Sequence, residues 1–227
     1  MDNNLLVRID DEFSLDYGRN QRNLCGIPFL RIQQLNISIQ YLPVTKTQFE
    51  YFLCERQDPD FDEGQYLNIL EYSPRISPRK INPENYEQTF ITALTFKQMD
   101  KFRERLGESY DYLKVEEWNE IVKFLNNHPI NDQVLKAILE QQGIPKRSKE
   151  ILSKLQEIVL QKGGSNLTMA NQLLLRKGIN EWIRDPDSSS LYSFMKEIGR
   201  DSRSVEKVPL RTLEIGVPNI GFRLIKR

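Results

Sequence analysis

The sequence has few of the residues from which metal sites and disulfide frameworks are built. Among 227 residues there are two cysteines, Cys25 and Cys54, and one histidine, His128. The cysteines are far apart and form neither a CxxC motif nor a zinc-ligand spacing, so we expect two reduced structural thiols. His128 stands beside Pro129, where a histidine more often ends a helix than binds a metal. The sequence therefore predicts no cofactor, and it gives His128 no catalytic role.

An excess of charge of one sign and a long apolar run are also missing. Lysine plus arginine and aspartate plus glutamate number 32 each, so no overall field attracts nucleic acid or an anionic membrane. Acidic residues interrupt the N-terminal stretch before it reaches the length of a signal peptide, and no later stretch approaches the length of a membrane span. We expect a cytoplasmic protein that recognises its partners locally and binds neither membranes nor nucleic acid.

The composition leaves room for one substantial hydrophobic core. Of all residues, 39% are hydrophobic and 10% are aromatic, and the length allows one domain with a large insertion. Apolar residues that alternate in places between positions 27 and 39 predict two strands, and strand-like runs return towards residues 220–225. Together with the helices described next, these segments predict an α+β fold.

Two capping boxes mark the starts of helices. The hydroxyl of Thr45 can accept from the N–H of Gln48, whose side chain can reach back to the threonine N–H, and Thr95 with Gln98 repeats the pattern. Apolar residues follow each box at helical spacing, and Gly107 should end the second helix. A third helix, ending at residues 126–129, is predicted by the core-facing spacing of Trp118, Ile121, Val122 and Leu125.

Residues 130–176 are predicted to form a helical insertion. Two amphipathic stretches are separated by Gly143-Ile144-Pro145 and followed by Gly163-Gly164. Their apolar stripes are Val134, Leu135, Ile138 and Leu139, followed by Ile151, Leu155, Ile158 and Val159.

Several separated segments carry a resemblance when they are taken in order. Segment 41–49 is similar to a "yPVTnaqy" turn into a helix, and segments 93–107 and 112–118 to a "vsWeeA…wlg" helix and an "LPTEaEW" piece. Segment 178–183 resembles a "GNvWEW" turn, and segment 219–224 matches a closing "IGFRl" strand. These are motifs of the formylglycine-generating-enzyme and sulfatase-modifying-factor family, which the chain resembles.

The resemblance covers residues 25–125 and 178–227, and it implies a fold of C-type-lectin type. That fold has small twisted antiparallel sheets and two capped helices. It further implies one domain over 1–227, with an N-terminal extension at 1–24 and the helical insertion where the family has a loop-rich region. Trp118 and Trp182 fall in segments whose family counterparts are buried, so both should lie in the core.

The resemblance also implies that this chain has lost the family's metal-dependent oxidative chemistry. The family's oxidases hold copper with a pair of cysteines in the C-terminal third, and related sulfoxide synthases bind iron with several histidines. After Cys54 this sequence has no cysteine, and His128 is its only histidine. The family's calcium sites use asparagine oxygens just before the "GNvWEW" turn. Here that stretch is 173–177, Leu-Leu-Leu-Arg-Lys, which has no such oxygen ligands in its side chains. Because the copper and iron ligands are missing, a non-enzymatic member of the family is predicted.

Candidate binding residues lie in the C-terminal loops, where the resembled fold exposes its ligand-binding face. A plain surface loop is the alternative there. The leading hypothesis is a recognition module that contacts a protein partner through these loops and through insertion 130–176. The candidates are Asp185, Asp187, Ser188, Tyr192, Arg200, Asp201 and Arg203.

Two other hypotheses stay open. The first is an enzyme that uses the ligand-binding groove of the resembled fold for other metal- or oxygen-dependent chemistry, with a metal held by carboxylates such as Asp185, Asp187 and Asp201. Alternatively, the chain forms a homo-oligomer by burying the apolar stripes of the insertion between copies.

Overall fold

The computed structural model describes residues 6–17, 27–56, 90–92, 94–140, 150, 153, 180–184, 192–195, 205–207 and 220–227. The chain divides into two compact units, one of residues 1–42, 116–176 and 225–227 and the other of residues 43–115 and 177–224. Both contain helices and strands, so the predicted α+β class is confirmed. The boundaries of a single domain stay a prediction.

The described elements are numbered in chain order. The first half of the chain contains β1 (Leu6–Arg8), β2 (Phe13–Asp16), β3 (Phe29–Ile32), β4 (Ile37–Gln40), α1 (Lys46–Arg56), α2 (Phe96–Leu106) and β5 (Tyr110–Tyr112). The second half contains α3 (Val115–Asn127), α4 (Gln133–Glu140), β6 (Asn180–Arg184), β7 (Tyr192–Met195), β8 (Val205–Lys207), β9 (Ile220–Phe222) and β10 (Leu224–Lys226). Within these residues, no helix is long and apolar enough to cross a bilayer.

The first unit contains an antiparallel series of neighbouring strands in the order β1-β2-β3-β4-β10. Strands β3 and β4 are the two that the sequence predicts between residues 27 and 39. Asn36 in the turn between them adopts a φ of 51°, a left-handed conformation that asparagine tolerates better than most residues. Its N–H donates to the Gln33 carbonyl at 3.1 Å, which closes the turn.

Helix α3 is the predicted third helix. Trp118, Ile121 and Leu125 are buried as expected, and the aromatic ring of Phe124 lies edge-on to Phe13 of β2 at 6.0 Å. The helix ends at Asn127, and the His128 ring stacks on Phe124 at 4.5 Å. The prediction that residues 126–129 end this helix is therefore confirmed.

Helix α4 is the first helix of the predicted insertion, and the described residues of its apolar stripe face the interior. Val134, Leu135 and Ile138 are buried in the chain itself, together with Ile130 just before the helix. This part of the self-association hypothesis is therefore wrong, because these side chains are not exposed to a second copy. The second stripe lies outside the described residues.

Tyr17 follows β2 and is a buried tyrosine with an unusual environment. Burial raises the pKa of its phenol well above the ordinary value. In the part of the chain that the structure describes, its hydroxyl has no hydrogen-bond partner. The folded state therefore favours the neutral phenol.

The Tyr17→Phe variant should lose less stability at alkaline pH than the unchanged protein. A group whose pKa is raised on folding contributes stability that is complete below its unfolded pKa, about 10 for tyrosine, and that falls as the pH rises above it. The measurement is urea unfolding at about pH 7 and about pH 10.5. Tyr51→Phe, at a half-buried position of α1, is the control. An alkaline loss equal to that of the unchanged protein would contradict the prediction.

The second unit contains a four-stranded sheet in the order β8-β7-β6-β9. Strand β7 pairs antiparallel with both β6 and β8, whereas β9 pairs parallel with β6. In that parallel pair Asn180, Glu181 and Trp182 lie opposite Ile220, Gly221 and Phe222. Trp182 is buried, as Trp118 is in the first unit, so the expectation for both tryptophans is confirmed.

Helices α1 and α2 begin at the two predicted capping boxes. The Thr45 N–H donates to Gln48 Oε1 at 2.9 Å, and the Gln48 N–H donates to Thr45 Oγ1 at 3.2 Å. The corresponding distances for Thr95 and Gln98 are 2.8 and 3.3 Å. Helix α2 ends before Gly107, which has a φ of 123°. The Gly107 N–H donates to the carbonyls of Arg103 and Glu104 in the last turn of the helix. Both boxes and the glycine stop are therefore confirmed.

Phe102 of α2 lies at the centre of an aromatic cluster. Its ring centroid is 5.9 Å from Phe49, 5.4 Å from Phe52 and 5.7 Å from Phe222. The rings of Phe52 and Phe222 meet it edge-on, a favoured aromatic geometry. The cluster packs both capped helices against strand β9.

Candidate functional site

Most of the predicted binding residues fall outside the described part of the chain. They are Asp185, Asp187, Ser188, Arg200, Asp201 and Arg203. Tyr192 is described by its backbone, where it opens β7 directly opposite Arg184 of β6. The binding role of these residues stays a prediction. The structure does describe the strands that precede and follow them in the chain.

Strand β7 separates the candidates into two groups. Connection 185–191 joins β6 to β7 at the end where Arg184 faces Tyr192, and connection 196–204 joins β7 to β8 where Met195 faces Val205. In an antiparallel series, successive connections leave from opposite ends of the middle strand. The connection that contains Asp185 and Asp187 therefore joins one end of β7, and the connection that contains Asp201 joins the opposite end.

The side chains of Glu181 and Arg223 form a buried ion pair that the sequence reasoning did not single out. Arg223 Nε donates to Glu181 Oε2 at 3.1 Å, and Arg223 Nη2 donates to Glu181 Oε1 at 2.8 Å. The exposed fraction is 1% for the arginine side chain and 2% for the glutamate. This is the bidentate fork geometry in which guanidinium binds carboxylate most specifically.

The strand register explains how the two charges meet. Glu181 lies opposite Gly221, which has no side chain, and Arg223 follows two positions later in the chain. Side chains alternate between the faces of a strand, so Gly221 and the second residue after it share one face. A signal was present in the sequence: Glu181 and Arg223, charges of opposite sign, stand directly beside large apolar residues in segments that otherwise read as strands.

A second, more exposed ion pair lies at the end of β6. Arg184 Nη1 is 3.2 Å from Asp111 Oδ2 of β5, and the Arg184 N–H donates to the Leu113 carbonyl at 2.8 Å. The exposed fractions of the two charged side chains are 35% and 23%. The pair therefore attaches the last residue of β6 to β5, just before connection 185–191 begins.

Arg103 of α2 joins this charged region of the second unit. Its Nε donates to Asp100 at 2.7 Å and its Nη1 donates to the Tyr110 carbonyl at 3.3 Å. The hydrogen bond with Asp100 raises the pKa of Arg103, and the nearby charge of Asp111 acts in the same direction. Arginine is fully protonated in any case, so the effect is to fix the side chain and not to create a proton donor.

The segments that carry the family resemblance meet in the second unit. The Val44 N–H, from the first of them, donates to the Phe222 carbonyl of the last at 2.9 Å. The ring of Phe96, which opens α2, lies 5.8 Å from that of Tyr112. Tyr112 in turn lies 6.4 Å from Phe222. Segments far apart in the sequence therefore form one contiguous set of contacts.

Among the described residues, no group of three or more histidine, cysteine, aspartate or glutamate side chains could hold a metal ion. His128 lies at the end of α3, which confirms its predicted position. Comparison with protein-family models, with curated proteins and with solved structures finds no match.

Proposed function

We propose that the chain is a non-enzymatic member of the formylglycine-generating-enzyme family and acts as a binding module. It recognises a protein partner or a ligand through its C-terminal loops and the insertion at 130–176. The candidate residues lie in connections 185–191 and 196–204 and at Tyr192. The protein uses no copper or iron cofactor.

The observation that carries the proposal is the meeting of the family-like segments in one unit. The contacts of Val44 with Phe222, and of Phe222 with Tyr112, join three regions that are widely separated in the sequence. A chance likeness of short motifs gives no reason for such segments to pack together. The contacts thus support a common scaffold of the formylglycine-generating-enzyme type.

The sequence lacks the ligands that the family's oxidative chemistry requires. A cysteine pair in the C-terminal third is what gives the family's oxidases their soft thiolate ligands for copper. No cysteine follows Cys54 in this chain. A retained scaffold without these ligands is suited to recognition, because a fold hosts functions through the site that it carries.

Purified protein reconstituted with Cu(I) should therefore leave a cysteine-containing peptide unoxidised. The measurement is mass spectrometry of the peptide together with metal analysis of the protein, using an active member of the family as positive control. Conversion of the peptide cysteine to formylglycine, or stoichiometric copper or iron in the protein as isolated, would overturn the proposal. Stoichiometric metal of another kind would favour the alternative, an enzyme that uses Asp185, Asp187 and Asp201.

The binding role is tested by comparing variants in affinity capture from the source cells. The double variant Arg200→Glu/Arg203→Glu should lose a partner that the unchanged protein retains. Lys97→Glu/Lys123→Glu is the matched control, because it also reverses two positive charges and both lysines are exposed residues outside the insertion and the C-terminal loops. Equal capture by all three proteins would contradict a role of the C-terminal loops.

A further inference from the structure

The Glu181–Arg223 pair is costly to bury, and stability alone does not account for it. Removing two charges from water costs free energy that even a well-aligned ion pair only partly recovers, and apolar replacement of both partners is often neutral or stabilising. In this pair the side chains are 2% and 1% exposed. The pair can contribute in a different way, by favouring one strand pairing over another.

The apolar pattern of β9 leaves its pairing with β6 ambiguous. In the observed register Trp182 lies opposite Phe222. A slide of β9 by two residues towards the C-terminal end of β6 keeps every side chain on its own face, because the side-chain period of a strand is two. The slide brings Ile220 opposite Trp182 instead. Both pairings put an apolar residue beside the tryptophan, so the alternation of apolar residues alone does not distinguish them, whatever the ring contacts of Phe222 add.

The backbone pairing between β9 and β6 gives little discrimination by itself, although the Val44 N–H also donates to the Phe222 carbonyl of β9 at 2.9 Å. Strand β9 contains only three residues, Ile220–Phe222, so few hydrogen bonds connect it with β6. Its pairing is parallel, which is slightly less stable per residue than antiparallel pairing. The register needs a contribution from side chains.

The charges of Glu181 and Arg223 do distinguish the two pairings. In the observed register they form two hydrogen bonds of 3.1 and 2.8 Å. A two-residue slide moves the guanidinium along the sheet by about 6.6 Å, which is well beyond hydrogen-bond distance. Both charges would then be buried without each other, an arrangement that proteins strongly avoid.

We propose that the Glu181–Arg223 pair is a register lock for β9. Its charges select the pairing in which Phe222 faces Trp182, and they thereby place Phe222 in the aromatic cluster around Phe102. The lock is a property of the fold and does not depend on the proposed binding function.

The experiment replaces both charges in the full chain with apolar residues of similar length, as Glu181→Leu/Arg223→Met. Cross-strand nuclear Overhauser contacts of the Trp182 backbone with Phe222 report the observed register, and contacts with Ile220 report the slid one. Amide hydrogen exchange of residues 220–223 is measured in parallel. Exchange of β3 amides serves as the internal reference.

We expect the double variant to fold cooperatively, to show both sets of contacts, and to exchange the amides of residues 220–223 at least tenfold faster. Exchange in β3 should be unchanged. A single observed register with unchanged exchange would overturn the lock. Failure of the double variant to fold would also overturn it, because the charges would then supply stability instead of selecting a register.

Two single variants separate charge from geometry and packing. Arg223→Lys keeps the charge but not the fork, and it should retain the observed register, since an unpaired buried charge still penalises the slide. Phe222→Leu keeps the ion pair while removing the ring contacts with Phe102 and Tyr112, and it too should show a single register. A mixture of registers in either variant would contradict the assignment of register choice to the two charges.

Discussion

Replacing Arg223 with methionine is expected to lower the free energy of unfolding by about 3–5 kcal/mol. The variant leaves the carboxylate of Glu181 buried and without the guanidinium that donates two hydrogen bonds to it, and the glutamate side chain is only 2% exposed. The cost arises from the uncompensated charge and is far larger than the net contribution of the intact pair. Urea unfolding followed by tryptophan fluorescence measures it, because Trp182 is the neighbouring residue on β6.

Arg227→Met is the matched control for this prediction. Arg227 pairs with Glu117 at 2.8 Å, the arginine side chain is 40% exposed, and the carboxylate that would be left behind is 16% exposed, against 2% for Glu181. An ion pair so accessible to water contributes about 0.2–1 kcal/mol. The two substitutions are chemically the same and differ in the burial of the charge left behind. Equal losses in the two variants would show that burial of the Glu181 carboxylate has no special cost.

Truncating Phe102 to alanine is expected to cost about 3–5 kcal/mol of unfolding free energy. The ring is 2% exposed and contacts Phe49, Phe52 and Phe222, so its removal leaves a cavity between two helices and a strand. Edge-on aromatic contacts are lost in addition to the buried area. The loss is measured by urea unfolding at neutral pH.

Phe96→Ala is the control for the cavity argument, since Phe96 lies on the same helix and is only half-buried. The two substitutions remove the same side chain from the same helix, so the excess loss for Phe102→Ala reports mainly the packing of its ring. We expect a clearly smaller loss for Phe96→Ala. A loss as large as that of Phe102→Ala would mean that the aromatic cluster is not the main contribution of α2.

Local signals were sufficient to predict the helices. Each capping box joins residues three positions apart, as Thr45 with Gln48 and Thr95 with Gln98, so the sequence contains the whole hydrogen-bonding unit. Gly107 ends α2 for an equally local reason, because its φ of 123° is one that residues with a Cβ rarely adopt. The strands β3 and β4 were predicted from alternation over a few residues.

Long-range features were not predicted. Glu181 and Arg223 are 42 positions apart, and nothing in the spacing indicates that β9 lies parallel to β6 with β7 on the other side. A charge within an apolar strand predicts that a partner exists, but its identity depends on the strand order. The binding role of the C-terminal loops has the same dependence, and for these residues the sequence prediction remains untested.

The orientation of α4 bears on how the insertion can be removed in the laboratory. A deletion that begins at residue 130 takes away Ile130, Val134, Leu135 and Ile138, all of which fill the interior of the first unit. In the shortened protein, the core residues that pack against these side chains would be exposed to water. The loss of a binding interaction could then not be distinguished from partial unfolding. A shortened chain that keeps everything through Glu140 would retain this packing, so excision should start beyond the end of α4.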